Sequence, residues 1–218
     1  MLGIPTLSDR IAQMVVKMYL EPILEPHFHE DSYGYRPGKS AIQAVAKTRQ
    51  RCWRYGWLFE FDIKGAFDNI DHALLMRALR KHTDCEWMLL YIERWLTAPL
   101  HRPDGVIEQR TRGTPQGGVI SPLLANLYMN RFLKYWRLKR CNEVFRAQVV
   151  SYADDFVILS RGKADEALQW TSAVMDLLGL TLNMDKTAVR DAYTGNFDFL
   201  GYTFGRIWFR KDGSWYTG

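Results

Sequence analysis

Two periodicities divide this chain. Trp57-Leu58-Phe59-Glu60-Phe61-Asp62-Ile63 alternates apolar and polar positions over its second half, as a half-buried strand does, with Asp62 at its end. Val149-Val150 and Phe156-Val157-Ile158-Leu159 flank Tyr152-Ala153-Asp154-Asp155, which predicts a hairpin from Arg146 to Ser160 with two acids at its tip. Helical spacing of Ile11, Met14, Val15 and Met18 predicts a helix from about Arg10 to Leu20, capped by Ser8 or Asp9, with Pro22 and Pro26 marking bends. Ser40 is placed to cap a helix reaching about Arg54, with Gly56 as its stop, and Asp71 to cap one from His72 to about Lys81. Further helices are predicted over Glu86 to Thr97, from Ser121-Pro122 onward, and over Ala164 to Leu178, closed by Gly179. Short strands follow at Leu180-Thr181-Leu182, after the Asn183 to Thr187 turn, and from Asn196 to Phe204. A last hairpin pairs Arg206–Phe209 with Ser214–Tyr216 across Asp212-Gly213.

This order closes an antiparallel sheet with helices on one face, an α+β fold of βαββαβ type. Hydrophobic content of 47% is enough for a real core in 218 residues, one domain or two small ones. Net charge +5 with eight Trp, eleven Tyr and eleven Phe is compatible with nucleic acid and equally with an ordinary basic protein. Cys52, Cys85 and Cys141 fit neither a zinc spacing nor a disulfide framework, which points to a reducing cytosol. No apolar run approaches the roughly 20 residues of a membrane helix, and Leu2-Gly3-Ile4-Pro5-Thr6 does not read as a signal peptide.

His27 and His29 lack partners at ligand spacing and read as structural or surface residues. Arg36 and Lys39, in the Tyr33 to Ser40 loop, fit either solvated charges or contacts to a nucleic-acid backbone. The Gly-rich run Arg110 to Gly118 precedes a helix, yet fits neither the P-loop nor the dinucleotide fingerprint. Adjacent carboxylates such as Asp154 and Asp155 repel unless a cation lies between them. A polar turn carrying two Asp is as good a reading of those four residues alone. With Asp62 at a strand end on the same sheet, three carboxylates could bind two Mg²⁺ about 4 Å apart, activate a 3′-hydroxyl and hold a triphosphate for in-line displacement.

At this point the residues resemble a known family. Phe61-Asp62-Ile63-Lys64-Gly65-Ala66-Phe67-Asp68 and Tyr152-Ala153-Asp154-Asp155 resemble the two catalytic motifs of reverse transcriptases. Thr114-Pro115-Gln116-Gly117-Gly118 with Ser121-Pro122-Leu123-Leu124-Ala125-Asn126 is similar to the form found in bacterial group II intron reverse transcriptases, or maturases. Leu2-Gly3-Ile4-Pro5-Thr6, Gly34-Tyr35-Arg36-Pro37-Gly38, Leu182 to Thr187 and Phe199-Leu200-Gly201-Tyr202 complete the ordered series over nearly the whole chain.

The resemblance implies a right-hand polymerase palm with partial fingers: residues 1–56 as fingers, and 57–218 as palm with fingers elements interleaved at about 75–115. It implies an RNA-directed DNA polymerase using an RNA template, a DNA primer and dNTP, with two Mg²⁺ per site and Mn²⁺ as a substitute. By position, Asp62, Asp154 and Asp155 would hold the metals, with the Ile63 carbonyl as a further ligand. Gly65 and Ala66 would meet the triphosphate, Phe67 would be the gate below the sugar, and Gln116 would sit in the nucleotide and template pocket. Lys186 would protonate the leaving pyrophosphate, Leu200, Gly201 and Tyr202 would grip the primer, and Gly117, Tyr152, Arg36 and Lys39 would touch nucleic acid.

Family members also carry an N-terminal extension with a basic hairpin before Leu2, and a helical thumb after the primer grip. The chain is therefore expected to be a fingers-palm fragment without thumb, DNA-binding or endonuclease domain, weakly active or inactive alone. Its parent is expected to act in the bacterial cytoplasm and to bind intron RNA. A retron, defence-system or CRISPR-associated reverse transcriptase and a non-catalytic RNA-binding maturase are the competing readings; the three intact acids speak against the last.

Overall fold

The computed structural model describes residues 5–101, 104–115, 117–184, 187–192, 194–209 and 214–217. In chain order the elements are α1 (Leu7–Leu24), α2 (Ala41–Cys52), β1 (Trp57–Asp62), α3 (His72–Leu79), α4 (Glu86–Thr97), β2 (Leu100–His101), β3 (Ile107–Glu108), α5 (Ser121–Leu138), α6 (Cys141–Val144), β4 (Ala147–Tyr152), β5 (Asp155–Ser160), α7 (Ala164–Leu177), β6 (Ala188–Asp191), β7 (Phe197–Phe199), β8 (Tyr202–Phe204), β9 (Arg206–Phe209) and β10 (Ser214–Thr217). They form two compact units. One comprises residues 1–28, 65–131 and 178–180; the other comprises 29–64, 132–177 and 181–218.

In the first unit, α1 is longer than its sequence pattern. Thr6, not Ser8 or Asp9, is the cap, its hydroxyl oxygen accepting from the Asp9 amide at 3.2 Å. Pro22 lies inside the last turn instead of ending the helix. Only one intrahelical N–H is lost there, and fully buried Leu20 and Leu24 hold the turn against the core. α3 is capped by Asp71, which accepts from the Leu74 amide at 2.7 Å, and α4 has the predicted bounds. α5 starts at Ser121, whose hydroxyl donates to the Pro115 carbonyl at 2.6 Å.

The second unit is built on a four-stranded antiparallel sheet of order β4-β5-β1-β6. Counted along the chain, that is 2-3-1-4, the order of a ferredoxin-like βαββαβ sheet. Alternation assigns the faces. Phe59, Phe61 and Phe156 point to one side; Phe59 meets Phe61, while Phe61 and Phe156 meet Phe132 and, through it, Trp136 of α5 and Trp170 of α7. Phe61 stacks on Phe156 at 4.9 Å, and Phe132 meets Phe61 edge-on at 6.2 Å. Leu58, Val150, Val157 and Leu159 point to the other side. There they share a core with Ala44 and Cys52 of α2 and with Phe197, Phe199 and Phe204 of the β7–β8 hairpin. Helices α5 and α7 thus occupy one face, while α2 and a hairpin cover part of the other.

α2 opens with a full capping box between Ser40 and Gln43. Its last turn carries Cys52, whose thiol burial pushes up to about 12. All three cysteines are free thiols. β9 and β10 pair as predicted, while the Asp212-Gly213 turn lies outside the described residues. Among the described residues, no helix is long and apolar enough to cross a membrane.

Candidate active site

Strand register brings the acids together. Asp62 lies directly opposite Asp155 on β1 and β5, and Asp155 opposite Tyr152 on β5 and β4. Opposed residues share a face, with Cβ atoms about 4.5–5.5 Å apart, so both carboxylates leave the sheet on the Leu58 side. Asp154 is the second residue of the two-residue turn. Ala153, the first, has φ +56°, and Asp154 does not share that sign. This is the II′ pattern, which normally takes glycine at the first position.

Asp62 is fixed from the side away from β5. The Asn183 amide donates to the Asp62 carbonyl at 2.8 Å, and the Asn183 side-chain amide donates to its carboxylate at 3.3 Å. Ile63 bridges to Leu182, and the Lys64 amide donates to the Thr181 carbonyl. Peptide groups alternate in direction along an extended chain. The Ile63 carbonyl therefore faces away from residues 181–183, toward the side of Asp154. Three carboxylates and a carbonyl are hard oxygen donors suited to Mg²⁺. Among the described residues, no three Asp, Glu, His or Cys side chains already converge as a metal cage. The backbone gathers the acids, while the side chains do not meet at one point.

An open cleft of about 470 Å³ is bounded by Asp62, Asp155, Glu60, Arg190, Asp198 and Leu200. Glu60 and Arg190 pair at 3.5 Å; burial raises the Glu60 pKa and Arg190 opposes the rise. Leu200 (φ +53°) and Gly201 (φ +78°) are the two turn residues between β7 and β8, the I′ pattern. The structure thus brings Leu200 to the same cleft as Asp62 and Asp155, with Gly201 and Tyr202 exposed beside it.

The Tyr33 to Ser40 loop has a role its sequence did not announce. The Tyr33 amide donates to the Ser151 carbonyl and the Ser151 amide to the Asp31 carbonyl, both at 2.9 Å, so residues 31–33 run parallel along the outer edge of β4. Gly34 then crosses the turn: a Cβ there would stand 2.2 Å from the Ala153 nitrogen. Tyr35, 52% exposed with φ +54°, sets its ring 6.4 Å from that of Tyr152. Its phenol pKa is raised, first by burial and then by the negative charge of Asp154, with Tyr152 and Asp155 adding. Arg36 donates to the His29 and Ser32 carbonyls at 2.6 and 2.5 Å, and Lys39 donates to the Glu30 carbonyl at 2.9 Å. Both cations therefore close the loop on itself.

The first unit carries the remaining candidates that the structure describes. Gly65 (φ +53°) opens a turn in which the Asp68 and Asn69 amides donate to its carbonyl. Ala66 is buried and Phe67 half-buried. The Thr114 and Gly113 amides donate to the Phe67 and Ile70 carbonyls at 2.7 Å, and a Cβ on Gly113 would lie 2.6 Å from the Asp68 carbonyl oxygen. His72 Nε2 lies 2.7 Å from the Gly113 carbonyl. The Gly-rich loop is thus clamped onto the Phe67 turn. Gly117 is half-buried in that loop; Gln116 and Lys186 lie outside the described residues.

Asn183, Gly34, Asp31, Arg51 and Gly113 make contacts that the sequence alone does not announce. A glycine between two tyrosines was the one local signal; the others act through pairings remote in sequence.

Residues 1–204 match the family described as Reverse transcriptase (RNA-dependent DNA polymerase). The chain is 35% identical to Protein YkfC of Escherichia coli K12, over 92% of this chain and 62% of that protein. It is 38% identical to the group II intron-encoded protein LtrA of Lactococcus lactis subsp. cremoris, over 62% of this chain and 22% of LtrA. In fold it resembles the telomerase of Candida tropicalis solved with a fragment of telomeric RNA, with TM-score 0.63 and 13% identity, covering 90% of this chain and 35% of the telomerase. The chain spans about three-fifths of YkfC and about a fifth of LtrA. Family membership implies divalent-metal catalysis on a nucleic-acid template and primer. With its paired strand-borne acids and this match over nearly its whole length, the chain belongs to the reverse transcriptase family.

Proposed function

We propose that this chain is the RNA-directed DNA polymerase domain of a group II intron-encoded protein. It would act in the bacterial cytoplasm, extending a DNA primer with dNTP on an RNA template in support of intron mobility, and of splicing through intron RNA in the parent protein. The observation that carries this reading is the register that sets Asp62 opposite Asp155, both lining an open cleft, with Asp154 next in the turn.

Asp62, Asp154 and Asp155, with the Ile63 carbonyl, would hold two Mg²⁺ or Mn²⁺. When bound, these cations supply activation of the 3′-hydroxyl and neutralisation of triphosphate charge. The small residues Gly65 and Ala66 allow a triphosphate to approach the backbone, while the Phe67 ring excludes a 2′-hydroxyl. Gln116 and Gly117 serve the nucleotide and template pocket, and Lys186 donates a proton to the leaving pyrophosphate. Leu200, Gly201 and Tyr202 hold the primer end beside Tyr152. For Arg36 and Lys39 we favour loop closure over template contact, because one guanidinium nitrogen of Arg36 and the Lys39 ammonium already donate to carbonyls. We assign residues 1–56 to fingers and 57–218 to palm with fingers elements interleaved at about 75–115. Clustering of 65–131 with 1–28 supports such interleaving.

Primer extension by the full-length protein on an RNA template tests this. Asp154→Ala is expected to drop synthesis to background with the fold retained. Phe67→Ala is expected to admit ribonucleotides. Wild-type extension that survives loss of Asp154 would overturn the polymerase assignment. Unaltered intron splicing after deletion of the protein would overturn the intron assignment.

A further inference from the structure

We propose that residues 31–34 together with Arg51 form a brace that positions the Tyr152–Asp155 turn and so sets the spacing of Asp154 and Asp155 from Asp62. The inference rests on the metal-binding reading above for its consequence, and on geometry alone for the brace.

Three contacts converge on one strand end. β4 is an edge strand, and its outward peptide groups would otherwise be open. Ser151 gives both its amide and its carbonyl to residues 31 and 33. The neighbouring outward carbonyl, Val149, accepts from Arg51 at 3.0 Å. The same guanidinium holds the buried Asp31 carboxylate through its other nitrogen, which ties the brace strand to α2. Tyr33 donates its phenol proton toward Asp31 at 3.4 Å. Beyond Ser151, Gly34 presses its backbone on Ala153, with space for a hydrogen and not for a methyl. Ala153 holds a positive φ that an alanine adopts only when its surroundings impose it. The brace therefore touches the residue whose conformation aims the two acids. These are positioning residues, and their effect on chemistry passes through Asp154 and Asp155.

The test uses Mn²⁺ binding to the full-length protein, followed by electron paramagnetic resonance of free Mn²⁺, together with hydrogen exchange of the Ser151–Phe156 amides. Gly34→Ala is expected to weaken Mn²⁺ binding about tenfold, the scale at which ligand-orienting groups act, and to speed exchange at Ala153–Asp155 while β1 amides keep their protection. Arg51→Lys, which replaces the planar fork that serves Val149 and Asp31 through two nitrogens with a single ammonium, gives a second variant should Gly34→Ala fail to fold; the same two changes, smaller, are expected. Met175→Ala, a core truncation on α7, supplies a loss of stability without a change in Mn²⁺ affinity. If Gly34→Ala or Arg51→Lys folds and leaves both affinity and local exchange at wild-type values, the brace is refuted. If Met175→Ala weakens Mn²⁺ equally, the effect is one of general stability and the brace is likewise refuted. Absence of Asp154-dependent Mn²⁺ binding in the wild type would remove the polymerase reading, and hydrogen exchange would then decide the brace by itself.

Discussion

Two hairpin tips in the second unit solve the same backbone problem in different ways. Tyr152–Asp155 and Phe199–Tyr202 are both two-residue turns, and each places a side-chain-bearing residue at positive φ, Ala153 at +56° and Leu200 at +53°. Such a residue costs about 1–2 kcal/mol relative to an ordinary conformation. At Leu200 the hairpin answers from within: Phe197 stacks on Phe204 at 4.8 Å, Thr203 donates to Asp198 at 2.6 Å, and Leu200 packs partly on the core. Gly201 meets nothing within 4 Å of an added Cβ. At Ala153 the answer comes from outside, from Gly34 and residues 31–33. The difference follows from charge. A tip with two adjacent carboxylates gains nothing from apolar cover and must be held through its backbone.

The largest effect is expected at the self-supporting tip. Phe204→Ala is expected to cost about 3–5 kcal/mol in urea unfolding, with the loss concentrated in β7 and β8 by hydrogen exchange. Gly34→Ala comes next, at about 2–3 kcal/mol, because the new Cβ would meet the Ala153 backbone nitrogen and a methyl has no rotamer that avoids it. Equal costs for Gly34→Ala and Gly201→Ala would erase the contrast, since Gly201→Ala meets open space and should lose only about 1 kcal/mol through its φ of +78°. Ala153→Gly should raise stability by up to about 1 kcal/mol, read as a higher urea midpoint. The smallest effect is a pH slope. His29 is buried, its Nδ1 accepts from the Asp31 amide, and burial lowers its pKa, with Arg137 and Arg51 acting the same way and Asp31 and Glu30 opposing. The unfolded state then takes up the proton first. Stability should be full above pH 6.5 and fall as acidification passes through the lowered folded value. His29→Asn should flatten that slope in melts between pH 7.5 and 5.5.

Legibility in the sequence followed the range of the interactions. β1, the acid hairpin, α4 and the capping box of α2 were written locally, in alternation, turn residues and caps. α1 extends beyond its local pattern at both ends, because Thr6 outcompetes Ser8 and Asp9 as cap, and because buried Leu20 and Leu24 outweigh Pro22. Asp62 could be singled out as a strand-end acid, yet its partner Asn183 lies 121 residues away in sequence, and the turn it opens says nothing of that pairing. The same is true of Arg51 and Val149, 98 residues apart, and of Gly113 on the Phe67 turn.

The pairing of Asp62 with Asp155 also decides where this chain can be lengthened. An added residue between Asp104 and Val106 would fall in an exposed loop, where a Cβ on Gly105 meets nothing. One added residue within β1 or β5 would turn one acid to the Phe61 and Phe156 side of the sheet and leave the other behind. Insertions and deletions in descendants of this sequence should therefore gather in the first location and be purged from the second, even where every aspartate is kept.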